Sequence, residues 1–217
     1  VEKSKQIIAD ITTKILAKKY SDQNDFDNFL LGIDQTENKA TLGVNVTLSL
    51  SIAFCRLYSL INNQDVYTTI SQLSETKPGK FPLLFFNLIN GGLHVSKSFL
   101  PLPFQEYLLI PKETSPQKSL KLAFGFIDKL KENLIKDKIA VNYGDEGGFI
   151  LTGDNPEIGF QYFQDILDQN ETFKETVNFG LDAAASSLWR SEQQDYFWAN
   201  GRVECSWNVS ELTNIYQ

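Results

Sequence analysis

Residues 81–94 read FPLLFFNLINGGLH. From Phe81 to Ile89 the run is apolar apart from Pro82 and Asn87, and it is bounded by turn-forming residues. That pattern predicts a strand covered on both faces, as in the interior of an α/β layer. It stops at Asn90-Gly91-Gly92, and the only histidine, His94, follows two residues later. Immediately upstream, SETKPGK (74–80) has the composition of a linker. The texture differs on its two sides, so the reading of this stretch sets the organisation of the chain.

Upstream, the periodicity is helical. Ile7, Ile8, Ile11, Ile15 and Leu16 share one face of a helix over 2–20. A short helix follows from Ser21, with acids in its first turn, where the helix dipole favours them. GIDQTENK is turn-like. Residues 40–62 read as a long apolar helix, expected to be buried on most sides, and 65–74 as one more short helix. Downstream, strands and helices alternate. QEYLLIP (105–111) and TVNFGLDAA (176–184) read as strands. SLKLAFGFIDKLKENLIKD (119–137) and EIGFQYFQDILDQ (157–169) read as amphipathic helices. The last stretch, from Ala185, mixes aromatic and polar residues and ends in a short helix. The expected division is 1–78, helical, and 79–217, α/β.

Composition narrows the function classes. The chain has 217 residues, 42% hydrophobic and 22% charged, with a net charge of −7 and a sequence pI near 4.8. An acidic chain gains nothing from counterion release on nucleic acid, so no nucleic-acid partner is expected. No basic face for a membrane is evident, and no apolar run is expected to reach membrane-span length. The two cysteines, Cys55 and Cys205, form no CxxC pair, which fits a reducing compartment and a cytoplasmic location. Asn-x-Ser/Thr triplets at Asn45, Asn170 and Asn208 read as chance occurrences. The chain begins at Val1 and contains no methionine, so the natural protein is expected to extend beyond it.

The polar residues at strand ends carry the chemistry. Asn90 with His94, Glu106 and Asp182 stand where α/β folds keep their sites. NYGDEGGF (142–149) sets Asp145 and Glu146 between glycines and beside apolar sequence. On the residues alone, it is either a solvated acidic turn or a site needing a carboxyl group and close backbone approach. Asp182 is either a cap for the next turn or a ligand. His94 is either structural or part of a site.

FNLINGGLH, FQEYLLIP, NYGDEGGF and FGLDAAAS, in this order and spacing, resemble the enolase family. TENKATLGVNVTLSLSIA (36–53) resembles its N-terminal segment through Thr36, Glu37, Asn38, Lys39, Gly43, Asn45, Leu48, Ser51 and Ala53. The resemblance implies an α/β fold: a partial enolase-type (β/α) barrel that begins with an antiparallel strand pair, preceded by a helical remnant of the N-terminal α+β domain. It implies magnesium-dependent dehydration of 2-phosphoglycerate to phosphoenolpyruvate, a step of glycolysis, and a homodimer or larger assembly.

The resemblance assigns Glu146 as the general acid. Its pKa would be raised by apolar walls and a neighbouring carboxylate. It assigns Glu106 and His94 to the substrate and Asp182 to magnesium (Mg2+). The three carboxylates should then converge on one cavity, with His94 at its rim.

The pattern departs in two places. The loop after His94, VSKSFLPLPF (95–104), is longer than in the family and carries two prolines and no glycine. No segment resembles the strands that bear the family's other magnesium ligands and its catalytic lysine. An inactive structural component of a larger assembly is the alternative reading.

Overall fold

The computed structural model describes residues 2–77 and 79–216. The chain divides into two compact units, Val1–Gly79 and Lys80–Gln217.

The first unit holds four helices: α1 (Glu2–Leu16), α2 (Gln23–Ile33), α3 (Val44–Ile61) and α4 (Val66–Leu73). Asp22, not Ser21, caps α2, its side chain accepting from the Asp25 N–H. That satisfies one of the donors a helix start leaves open. Phe26 of α2 stacks on Phe54 of α3 with ring centroids 4.3 Å apart. After α2, Asp34 is fully buried and accepts from the backbone N–H groups of Thr36 and Leu42. Burial pushes its carboxyl up, but the hydrogen bonds from Thr36 and Leu42 prevail and hold it below the usual range.

α3 corrects two expectations. Only Val46 and Ser59 of its residues are buried, whereas Val44, Leu48, Ile52, Leu57, Leu60 and Ile61 are exposed. α1, α2 and α4 pack on α3 and leave the rest of its apolar surface uncovered within this unit. With a mean hydropathy of 1.5 over 18 residues, α3 is also long and apolar enough to cross a membrane by length and composition. It carries Asn45, Thr47, Ser49, Ser51 and Arg56 along that length.

The second unit is built on a four-stranded sheet of order β3-β1-β2-β4, with β1 at Phe86–Asn90, β2 at Glu106–Pro111, β3 at Phe149–Ile150 and β4 at Val177–Asp182. β1 and β2 are antiparallel, as are β2 and β4, while β3 runs parallel to β1. The apolar run at 81–94 thus forms a strand only from Phe86. Pro82 has no N–H to give a ladder, residues 81–85 stand outside the pairing, and Phe81, Leu83 and Phe85 are exposed.

β2 alternates in burial, so Tyr107, Leu109 and Pro111 face one layer and Glu106, Leu108 and Ile110 the other. The first layer packs on α5 (Pro116–Lys136) and α6 (Ile158–Gln169). On α5, Ser119, Ala123, Phe126, Leu130 and Leu134 are buried at steps of three and four residues, the stripe of a helix with one face inward. Pro116 occupies the first turn, where its missing N–H costs nothing, so the helix starts earlier than the apolar pattern suggested. The short α7 (Glu171–Thr176) is capped by Asn170, whose side chain accepts from Thr172 and Phe173.

The stretch after Ala185 holds a second sheet that its mixed composition concealed. β5 (Trp189–Arg190), β6 (Asp195–Ala199) and β7 (Glu204–Trp207) form an antiparallel meander, followed by α8 (Val209–Ile215). Arg190 Nε and Nη2 donate to both Asp195 oxygens, at 2.8 and 2.5 Å. Asn208 caps α8 in a capping box with Glu211. Asn170 and Asn208 therefore have structural uses as helix caps.

Candidate functional site

Strand register assembles the site. Asn90 ends β1, Glu106 begins β2 and Asp182 ends β4, and the pairing sets Asn90 opposite Glu106 and Glu106 opposite Asp182. Directly opposed residues on neighbouring strands share a face, with Cβ atoms about 5 Å apart. Because β2 runs antiparallel, its start lies beside the ends of its two neighbours. A row of three polar residues thus crosses the sheet.

The GDEGG turn brings in the fourth member. Gly147 has φ of 84°, a left-handed conformation that glycine adopts without strain. A Cβ at Gly148 would lie 2.3 Å from Asn90 Oδ1, and one at Gly144 2.8 Å from Asn90 Cβ. The glycines therefore let the backbone pass close to Asn90. This lays Glu146 against β1, where Asn87 Nδ2 donates to its Oε2 at 3.3 Å.

His94 follows β1 in a short 3-10 turn, Gly92–His94. Its Nδ1 lies 3.3 Å from Glu146 Oε2 and 3.6 Å from Glu106 Oε1. Asn90 Nδ2 is 3.5 Å from the same nitrogen. One donor atom from each of His94, Glu106 and Glu146 falls within 4.8 Å of the others.

The expected convergence takes a different form. His94 sits between Glu106 and Glu146, not at a rim. Asp182 joins through its register with Glu106 and is exposed; its Oδ1 accepts from the Ala184 N–H at 2.9 Å. The group is open to solvent. Cavities of about 470 and 490 Å³ lie nearby in sequence, one lined by Phe104, Phe179 and Leu181, the other by Gly92, Lys97 and Trp198. Neither includes the three carboxylates in its lining.

The burial expected around the acid falls on Glu106, whose side chain is 20% exposed against 50% for Glu146. Desolvation raises the Glu106 pKa, and Glu146 and Asp182 add to the rise, against the opposing pull of His94. Carboxylates gathered on one face favour the neutral form of the most buried member.

Asn87 was not expected in the site. Its signal was its polarity within an apolar run, but the register shift between Asn87 and Ile89 beside it cannot be read from composition.

The loop carrying His94 is pinned. Leu102 and Phe104 are buried to 0% and 1% exposure, and Trp198 Nε1–H donates to the Pro101 carbonyl at 3.2 Å. Pro101 also bridges to Thr152, and the Gly92 N–H donates to the Leu102 carbonyl at 2.8 Å.

With this geometry in hand, comparison with known proteins places the chain. Residues 79–217 match the family described as "Enolase, C-terminal TIM barrel domain", and residues 1–70 match "Enolase, N-terminal domain". The chain is 32% identical over 200 residues to an enolase of Mastigamoeba balamuthi, covering 90% of this chain and 44% of the relative. It is 31% identical over 190 residues to enolase B of Dictyostelium discoideum, covering 86% of this chain and 42% of the relative. An enolase of Ehrlichia chaffeensis is 28% identical over 216 residues, with coverage of 97% and 48%. The chain spans about half the length of the curated relatives it matches.

Proposed function

The chain belongs to the enolase family, and from that premise we propose that the complete protein dehydrates 2-phosphoglycerate to phosphoenolpyruvate. The observation that supports this reading is the juxtaposition of His94, Glu106 and Glu146, with Asp182 next to Glu106 in the strand row. In this reading Glu146 holds the proton given to the departing hydroxide. Asn87 and His94 orient its carboxyl through contacts of 3.3 Å each. Glu106, partly desolvated, is the second carboxyl at the substrate. The base is a lysine that the family carries on a segment this chain does not match. The setting is cytoplasmic glycolysis, in a homodimer or larger assembly.

The residues fit magnesium in kind. Magnesium takes oxygen ligands, and Asp182 offers an exposed carboxylate whose Oδ1 accepts from Ala184. Asp182 would hold the ion, with water at the remaining positions supplied here. When bound, magnesium offsets negative charge building on the substrate carboxylate.

The test is magnesium-dependent formation of phosphoenolpyruvate by the complete gene-encoded protein. Glu146→Gln should lower turnover by about 10²–10⁴-fold, the range for loss of a general acid. An inactive complete protein would favour the second reading, a structural component. The pinned loop supports that alternative: its buried Leu102 and Phe104 resist movement over a substrate.

A further inference from the structure

The donors around His94 differ in kind from the oxygen-only set suited to magnesium. An imidazole nitrogen with two carboxylates suits zinc and its divalent transition-metal neighbours. We propose that His94, Glu106 and Glu146 form a binding site for a zinc-class divalent ion, with a ligand set separate from Asp182.

Spacing supports the site. Donors bound tetrahedrally to zinc at about 2.0–2.2 Å stand roughly 3.3–3.5 Å apart. His94 Nδ1 is 3.3 Å from Glu146 Oε2 and 3.6 Å from Glu106 Oε1 before any adjustment. The side chains are preplaced, since Val95 is buried at 6% exposure beside His94 and Glu106 is fixed in the β-ladder.

The neighbouring amides hold the donors in place. Asn90 is 0% exposed and its Nδ2 lies 3.5 Å from His94 Nδ1, and Asn87 Nδ2 donates to Glu146 at 3.3 Å. A three-ligand zinc site keeps an open position for water. Occupation would tie up Glu146 and His94, so the ion would act against the dehydration proposed above.

The experiment titrates zinc chloride into the metal-free chain by calorimetry and follows cobalt(II) binding by visible absorption and NMR. His94 is the only histidine, so its imidazole C–H signals are unambiguous. The expected result is one zinc per chain, bound at least about 100-fold more tightly than magnesium, with cobalt shifting the His94 signals. His94→Ala and Glu146→Gln should each weaken zinc by at least about 10-fold, and Asp182→Asn by less than about 3-fold. Unshifted His94 signals at saturating cobalt would overturn the site without any variant having to fold. So would a cobalt–thiolate charge-transfer band, which would assign the ion to Cys55 or Cys205, or a loss in Asp182→Asn as large as that in His94→Ala.

Discussion

Glu106 is the residue at which fold and chemistry meet. In the unfolded chain its carboxyl titrates near 4.5; in the folded protein desolvation, then Glu146 and Asp182, hold it higher. Between those two values the folded state binds more protons than the unfolded one. The contribution to stability is thus fully present below about pH 4.5 and is lost as pH rises through the raised value. Urea unfolding across that window should show a falling slope in the native chain that Glu106→Gln removes. A steeper fall in the variant would contradict this. Gly148 makes a second residue-scale prediction. A Cβ there would meet Asn90 Oδ1 at 2.3 Å, and Asn90 is fully buried. Gly148→Ala should cost about 1–3 kcal/mol by overpacking, read as a shift in the urea midpoint. The carboxylates and His94 were legible in the sequence because motif order and chain spacing identify them. The use of the glycines was not. What they approach, the Asn90 side chain, comes from across the sheet.

At the scale of elements, amphipathic stripes and caps made the helices readable, as the spacing of Phe126, Leu130 and Leu134 on α5 illustrates. The meander β5–β7 was hidden because its strands are short and alternate imperfectly: β7 holds Glu204, Cys205, Ser206 and Trp207. The meander anchors the His94 loop. The Trp198 indole donates to Pro101, and Leu100 takes a left-handed φ of 52° next to that anchor. A non-glycine residue persists in that conformation only where its surroundings enforce it. Trp198→Phe keeps an aromatic ring but removes the donor and part of the buried indole, the lost hydrogen bond alone costing about 1 kcal/mol. Amide exchange over residues 92–102 should then speed up by about five-fold, while the α5 amides remain unchanged. Equal acceleration in both would mean that the indole stabilises the whole unit and not the loop.

At the scale of the whole molecule, the sheet of the second unit is open. β4 and β3 are its outer strands, and apolar residues such as Phe85 and Phe124 are exposed in that unit, as Leu48 and Ile52 are in the first. A complete barrel takes roughly 250 residues, more than the whole of this chain. The family and the strands β1, β2 and β4 could be read from the sequence; the two-residue β3 and the exposure of α3 could not, because so short a strand has no periodicity and an apolar composition does not say what covers it. Among the described residues no lysine is ion-paired with Glu106, Glu146 or Asp182, and in the proposed reaction Asp182 would supply one carboxylate to magnesium, which gives up its waters reluctantly. In that proposed reaction, without a base to remove the substrate proton, Glu146 would have no leaving hydroxide to protonate, and the positioning that makes such steps fast would be missing too. The 217-residue chain alone should therefore show no magnesium-dependent formation of phosphoenolpyruvate from 2-phosphoglycerate. An absorbance assay on the purified chain checks this, with Glu146→Gln as the control. Turnover that vanishes in the Glu146→Gln chain would show that a local lysine, such as Lys97 or Lys112, had taken the role of base.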